Sequence, residues 1–332
     1  MPQPSASKAY LDPRTLAAVS SLELRARLIV EGLMIGMHRS PYRGLSVEFA
    51  QHRQYAPGDD VRYLDWKVFA RTDKLHLKQY QKETNLDLLI LLDASGSMGY
   101  SSLPQKWSKY DLGASLAAAL AYLALRQQDR VSAMLFGDQL LEQSRMSNAA
   151  DHWRSILALL GAEGSGPPAT LPQTGESGRG TDLARLFERA TARLTQRSVV
   201  VLISDLLEDP ASLEQGMARL FHDRHDLIIF QTLDKAERTF PFRDPTVFAG
   251  LENEGSLNLD PAALRSAYLE AFEAHALETT RLARRFHFDK FVLDTSQPLG
   301  STLSRFLARR ASAATHGTAT GYALAPTAIG GE

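Results

Sequence analysis

The sequence predicts an α/β protein with a doubly wound, mostly parallel sheet. Two short apolar runs, 86–92 and 198–203, have the length and composition of strands that are buried on both faces of a parallel sheet. Helical and strand-like segments alternate along most of the chain. This alternation favours helices packed on both sides of one sheet over separate helical and β regions.

The composition fits a folded globular chain of 332 residues. Hydrophobic residues make up 44%, charged residues 23%, and the formal net charge is −1, which does not suit a dedicated nucleic-acid-binding protein. There is no cysteine, which excludes disulfides and thiolate metal sites and favours a reducing compartment. The N-terminus lacks the apolar core of a signal peptide, and the longest apolar segment, 112–125, is too short to span a bilayer. We therefore expect a cytoplasmic protein with no integral membrane segment.

Four regions are predicted along the chain. An N-terminal helix and a small accessory segment occupy 1–85, the α/β domain 86–295, a C-terminal helix 296–310 and a disordered tail 311–332. The predicted helices are 15–38, 110–127, 148–160, 181–194, 210–221, 261–286 and 299–309. The predicted strands are 75–80, 86–92, 130–136, 139–143, 198–203, 226–231 and 287–293. The hairpin signal Gly137-Asp138 indicates an antiparallel edge strand, whereas 240–258 is a variable stretch with no predicted element.

Oxygen-bearing side chains follow both buried strands. Asp93, Ser95 and Ser97 stand in a D-x-S-x-S spacing after the first, Asp205 follows the second, and Thr181 precedes a helix between them. Loops at the carboxyl ends of central strands face one crevice in a doubly wound sheet, so these groups should approach each other. A set of two carboxylates and three hydroxyls favours Mg²⁺, with Mn²⁺ or Ca²⁺ as alternatives, over zinc or copper. The competing interpretation is that serine and glycine simply form the turn.

These five residues resemble the metal-ion-dependent adhesion site of von Willebrand factor A domains. The resemblance covers about 86–295 and implies a Rossmann-type α/β fold in which the serines, the threonine and the two acids hold the ion, some of them through water. It further implies that a carboxylate of a protein partner completes the coordination of the ion.

The segment before the first buried strand resembles a bacterial family, the domain of unknown function 58. The matching positions are Gly44, Glu48-Phe49, Arg53-Gln54-Tyr55, Pro57-Gly58-Asp59-Asp60, Arg62, Asp65-Trp66 and Ala70-Arg71. Members of this family are often encoded beside a MoxR-type AAA+ ATPase, which implies a partner and a role in protein assembly or maturation. Many relatives carry transmembrane helices near the N-terminus, and this sequence shows none.

The leading hypothesis is a non-enzymatic, metal-dependent protein–protein interaction module. The alternative is a magnesium-dependent hydrolase or phosphoryl-transfer enzyme that uses the same ion as a Lewis acid, but no histidine is tied to Asp93 by spacing and no phosphate-binding loop occurs. A third possibility is a scaffold that has lost the ion. For Asp59 and Asp60, an ion-pair network with nearby arginines is favoured over catalysis, and a second metal site is the weaker alternative.

Overall fold

The computed structural model of the protein describes residues 12–38, 52–54, 69, 71, 75–78, 86–102, 107–137, 140–161, 183–251, 255–300, 302–303 and 305–306. The chain forms two compact units, Met1–Ser40 with Leu86–Pro326 and Pro41–Asn85 with Thr327–Glu332. The first unit holds the large sheet and its helices, and the second holds a two-stranded ribbon. The boundaries at 85, 295 and 310 stay predictions.

Helices and strands alternate through the described residues. The helices are α1 Pro13–Ala18, α2 Leu22–His38, α3 Lys109–Arg126, α4 His152–Leu159, α5 Leu183–Thr191, α6 Pro210–His222, α7 Lys235–Thr239 and α8 Pro261–Arg285. The strands are β1 His52–Gln54, β2 His76–Lys78, β3 Asp87–Asp93, β4 Arg130–Phe136, β5 Leu140–Gln143, β6 Ser198–Ser204, β7 Asp226–Leu233, β8 Thr246–Ala249, β9 Ser256–Leu259 and β10 Asp289–Asp294.

The large sheet has six strands in the order β10-β7-β6-β3-β4-β5. Five of them run parallel, and β5 pairs antiparallel with β4 at one edge. After β3 the chain builds one half of the sheet through β4 and β5 and then returns to β6 on the other side of β3. The predicted doubly wound, mostly parallel sheet with an antiparallel edge strand is therefore confirmed, and its switch point lies between β3 and β6.

Helices cover both faces of this sheet because the side chains of each strand alternate between two apolar cores. One core joins Leu88 and Ile90 of β3 to apolar residues of α2, α3 and α4. The other core joins Leu89 and Leu91 to α5, α6 and α8. Strand β3 is buried along its whole length, as the apolar run 88–92 predicts.

Several helix starts follow from local sequence. Ser108 caps α3 in a capping box with Asp111, and Asp209 and Asp260 cap α6 and α8 ahead of a proline in the first turn. The predicted helix 15–38 is two helices instead, because helical structure is interrupted at 19–21. The Oγ of Ser21 accepts a bond from the backbone N–H of Leu24 at the start of the second helix.

Other elements differ from the sequence prediction in extent or in kind. Helices predicted at 148–160 and 181–194 are shorter, as α4 and α5, and helix α7 and the hairpin of β8 and β9 were not predicted. Within the predicted strand 75–80, residues 76–78 form β2, which pairs antiparallel with β1 in the ribbon, and residues 79–80 lie outside the described residues. Residues 299–300, 302–303 and 305–306 are helical within the predicted helix 299–309. Tail 311–332 lies outside the described residues.

Candidate metal centre at the strand ends

The candidate site lies where β3 and β6 end side by side at the switch point of the sheet. These strands pair in parallel register up to Leu92 and Ile203, so the next residues, Asp93 and Ser204, stand together at the carboxyl edge. Both side chains are fully buried. Asp205 follows directly after β6 and is also buried. Backbone pairing of two apolar strands therefore brings two carboxylates to one place.

Both carboxylate oxygens of Asp93 accept hydrogen bonds. Oδ1 accepts from the backbone N–H of Ser95 at 2.9 Å, and Oδ2 accepts from the Oγ of Ser204 at 2.6 Å. Burial and, after it, the negative charge of Asp205 raise the pKa of Asp93 to about 7, against the opposing effect of these hydrogen bonds. The arrangement accumulates negative charge in a buried place, which a cation would stabilise.

The turn after β3 presents two hydroxyls. The Oγ atoms of Ser95 and Ser97 lie 3.0 Å apart at the start of a short 3₁₀ helix, Gly96–Gly99. Both serines are partly exposed. Met98, the residue after Ser97, is buried, and its sulfur accepts a bond from Thr232 Oγ1 at 3.3 Å. Met98 thus anchors the turn in the core while the hydroxyls stay within reach of solvent.

The turn after β6 fixes Asp205. Leu206 has a φ of 57°, in the left-handed region that a leucine rarely adopts, and its backbone N–H donates to the Oγ of Ser204 at 3.0 Å. The carbonyl oxygen of Leu206 accepts from His275 Nε2, and the carbonyl oxygen of Asp205 accepts from Gln231 Nε2 at 3.0 Å. These bonds hold a strained turn of the kind that often occurs at functional sites.

A buried lysine also contacts the site. Lys109, the first residue of α3, is fully buried, and its Nζ donates to Asp205 Oδ2 and to Glu237 Oε1, each at 2.6 Å. Burial alone lowers the pKa of Lys109, but the two carboxylates outweigh it and the net shift is upward. The ammonium is therefore charged and holds two acids from different elements together.

Glu237 belongs to α7, a short helix beside the site. Its Oε2 accepts from the backbone N–H of Asp234 at 2.7 Å within the capping box of α7. Burial raises the pKa of Glu237, and the ion pair with Lys109 opposes that rise. Asp234 in turn accepts bonds from the backbone N–H of Ser102 at 3.1 Å and from Thr295 Oγ1 at 3.0 Å. This network joins the turn after β3 to those after β7 and β10.

The structure brings four of the five predicted site residues to the same edge of the sheet. Asp93, Ser95 and Ser97 are linked by hydrogen bonds, and Asp205 acts on Asp93 through its charge. Thr181 lies outside the described residues, two residues before α5 begins. The Asp59-Asp60 segment also lies outside them.

Three residues at the site are not among the predicted ligands. Ser204 is recognisable from the sequence as the hydroxyl that ends the second buried strand before Asp205, but not as the partner of Asp93. Lys109 follows Ser108, whose capping box marks a helix N-terminus, but nothing local shows which acid its side chain meets. Glu237 follows a third strand, and its place depends on the short helix that was not predicted.

The donor chemistry of the site fits a hard divalent cation. Carboxylates and hydroxyls surround a buried concentration of negative charge, as Mg²⁺ and Ca²⁺ prefer. In the described part of the chain, no group of three or more histidine, aspartate or glutamate side chains is placed to hold a metal ion. An ion at this site would therefore depend on the serine hydroxyls as well as on Asp93 and Asp205.

Comparison with known proteins gives a family and distant relatives. A family model described as "Protein of unknown function DUF58" matches residues 51–278. Uncharacterized protein Rv1480 of Mycobacterium tuberculosis is 28% identical over 301 residues, which cover 90% of this chain and 90% of that protein. Uncharacterized protein Mb1516 of Mycobacterium bovis matches to the same extent.

Three solved structures are similar at low sequence identity. BatB from Bacteroides thetaiotaomicron is 15% identical with a TM-score of 0.45, and the match covers 68% of this chain and 99% of BatB. An aerotolerance-related membrane protein from Bacteroides fragilis is 14% identical with a TM-score of 0.37, covering 66% and 97%. The SpRpn10 VWA domain is 14% identical with a TM-score of 0.33, covering 67% and 95%. Among the residues described for this chain, no helix is long and apolar enough to cross a membrane.

Proposed function

This chain belongs to the DUF58 family, and we propose that it is a non-enzymatic, metal-dependent protein–protein interaction module. The observation that carries the proposal is the meeting of Asp93 and Asp205 at the switch point, with the hydroxyls of Ser95 and Ser97 beside them. These two buried carboxylates repel each other, and a divalent cation bound between them would attract both and offset that repulsion.

In this proposal each residue has a separate part in holding Mg²⁺, or Mn²⁺ or Ca²⁺ in its place. Asp93 supplies charge from a fixed position, since Ser204 and the Ser95 backbone hold its carboxylate. Ser95 and Ser97 supply neutral oxygens at the exposed side. Thr181 is proposed as a further hydroxyl ligand, as the resemblance to adhesion sites implies. When bound, the ion supplies a positive centre that attracts an oxygen ligand from outside.

We propose that the outside ligand is a carboxylate of a protein partner. Neutral hydroxyls balance little of the charge of the ion, so an anionic group can complete its coordination at the exposed side of Ser95 and Ser97. The resemblance to the DUF58 family implies a MoxR-type AAA+ ATPase as that partner, and with it a role in protein assembly or maturation.

A binding assay with purified MoxR-type ATPase tests the proposal. The tagged chain should retain the ATPase in Mg²⁺, lose it in EDTA and regain it when Mg²⁺ is restored. The variants Asp93→Ala and Thr181→Ala should bind at least tenfold more weakly. Asp151→Ala is the matched control, because Asp151 is an exposed aspartate at the start of α4 whose side chain caps nothing.

Equal binding in Mg²⁺ and EDTA, or full binding by Asp93→Ala, would contradict the proposal. Circular dichroism of each variant shows whether a loss of binding reflects a loss of fold. A panel of phosphoesters covers the enzymatic alternative, which predicts turnover that requires both Mg²⁺ and Asp93.

A further inference from the structure

The proposed ion site contains one charged group that ion coordination does not explain, the ammonium of Lys109. This side chain is fully buried, and Nζ lies 2.6 Å from Asp205 Oδ2 and 2.6 Å from Glu237 Oε1. Asp205 is almost fully buried and Glu237 is 18% exposed. Taking a lysine out of water is costly, so two acids must hold it in place.

The proposed ligands Asp93 and Asp205, together with Lys109 and Glu237, form a group of three carboxylates and one ammonium. Asp234, the next acid in this network, bonds to Ser102 and Thr295 and lies outside this group of four. With all four charged, the formal charge is minus two, equal and opposite to that of one divalent ion. Without Lys109 the loaded site would be negative overall and would repel an anionic ligand.

We propose that Lys109 sets the charge of the ion site, so that the loaded site is neutral and accepts a carboxylate from an acidic partner. This inference rests on the proposed function and adds the electrostatic condition under which an acidic group can bind. Lys109 is a positioning and charge-setting residue, because its ammonium bonds to Asp205 and Glu237 and cannot itself ligate a cation.

Glu237 allows the charge of the site to be changed in the direction opposite to that of a Lys109 substitution. It contacts the same ammonium as Asp205, and its backbone carbonyl accepts a bond from the hydroxyl of Tyr268 at 3.0 Å, which fixes α7 beside α8. Neutralising Glu237 leaves the charge of Lys109 to act on Asp205 alone. Neutralising Lys109 leaves both acids uncompensated. The two changes therefore shift the charge of the site in opposite directions at nearly the same place.

The test measures two affinities. The affinity for Mn²⁺ is measured by electron paramagnetic resonance, and the affinity of the Mn²⁺-loaded protein for acetate is measured by the change in water proton relaxivity. Lys109→Met should bind Mn²⁺ about tenfold more tightly and acetate about tenfold more weakly than wild type. Glu237→Gln should do the reverse. The double variant Lys109→Met/Glu237→Gln should return close to wild type in both measurements.

Lys290→Met is the control for loss of a hydrogen-bonded, partly buried lysine away from the site. Lys290 lies near the start of β10, where its Nζ bonds to the hydroxyls of Thr279 at 2.5 Å and Thr280 at 3.2 Å. The affinities of the Lys290→Met variant for Mn²⁺ and acetate should equal those of wild type. If Lys109→Met does not fold, Glu237→Gln alone still gives a signed result, since it keeps the pair of Lys109 and Asp205.

The outcomes separate this inference from the proposed function. Weaker Mn²⁺ binding by both single variants would overturn the inference, because that is the result of a merely structural role. Unchanged affinities in Glu237→Gln would overturn it as well. A wild-type protein that does not bind Mn²⁺ would overturn the proposed function and this inference together.

Discussion

Ser204 donates a hydrogen bond of 2.6 Å from its Oγ to Oδ2 of Asp93, and this bond joins the carboxyl ends of β6 and β3. The same Oγ accepts from the backbone N–H of Leu206 at 3.0 Å. One hydroxyl therefore holds both the buried acid and the strained turn that carries Asp205. The geometry of the proposed ion site depends on it.

We expect Ser204→Ala to lower the free energy of unfolding by about 1–3 kcal/mol, since it leaves a buried carboxylate oxygen and a backbone N–H without this partner. Urea unfolding in EDTA measures the change. Ser198→Ala is the control at the other end of β6, where the buried hydroxyl donates to the carbonyl of Gln196, two residues away, at 2.7 Å. Equal losses in both variants would contradict the special role of Ser204.

Arg25 links α2 to the first turns of α3, from which Lys109 reaches the site. Its buried guanidinium lies 3.8 Å from Asp111 Oδ1 and 5.3 Å from the ring centre of Trp107. Arg25→Met should therefore cost about 2 kcal/mol of unfolding free energy by urea denaturation. Arg27→Met, on the same helix, removes only an exposed pair with Glu23 and should cost less than about 0.5 kcal/mol. Similar costs would refute the role of Arg25.

Asp129 should make stability depend on pH. It is buried and its Oδ1 accepts from the backbone N–H of Leu86 at 2.9 Å, while burial raises its pKa to about 6. An aspartate in the unfolded chain ionises near pH 4, so the folded state holds this proton more tightly. Its contribution is full below pH 4 and is lost as pH rises through 6, by up to about 3 kcal/mol.

The variant Asp129→Asn isolates this contribution because it keeps the acceptor oxygen and removes the charge. Urea unfolding of both proteins in EDTA at pH 4.5 and 7 should show a smaller decline in stability for the variant. The same decline in both proteins would show that Asp129 does not carry the effect.

Gly216 allows α6 to approach α5. A Cβ at this position would lie 2.1 Å from Cδ2 of Phe187, which is fully buried in the core between these helices. Gly216→Ala should lower the free energy of unfolding by about 1–3 kcal/mol despite the better helix propensity of alanine. In Phe187→Leu the smaller side chain should reduce the cost of adding Gly216→Ala. Purely additive losses by urea unfolding would contradict the close contact.

Short segments of the sequence predict the central strands of the sheet and the residues at their ends. The apolar run before Asp93 and the run before Asp205 predict two buried parallel strands, and parallel pairing then brings their ends together without further information. Because Ser95 and Ser97 stand in the turn directly after the first of these strands, their place near Asp93 can also be predicted. The fold class and the placement of Asp93, Ser95, Ser97 and Asp205 at one edge of the sheet could be predicted because short segments determine them.

The remaining features depend on contacts between distant segments. Lys109 meets Asp205 and Glu237 at sequence separations of 96 and 128 residues, and no periodicity records such a meeting. The hairpin of β8 and β9 is short and has exposed apolar residues such as Val247 and Leu257, so its pattern does not resemble a buried strand. The break at Ser21 was missed because apolar spacing continues through it.

The proposed function requires that a divalent ion bind at the strand ends through Asp93. Calorimetric titration with Mg²⁺, together with thermal unfolding, measures this binding, since a ligand bound only by the folded protein must raise its stability. Wild type and the control Asp151→Asn should bind a single Mg²⁺ per chain and unfold at a higher temperature in its presence, whereas the isosteric Asp93→Asn should do neither. Mg²⁺ binding by folded Asp93→Asn with wild-type affinity, or no binding by wild type, would contradict the claim.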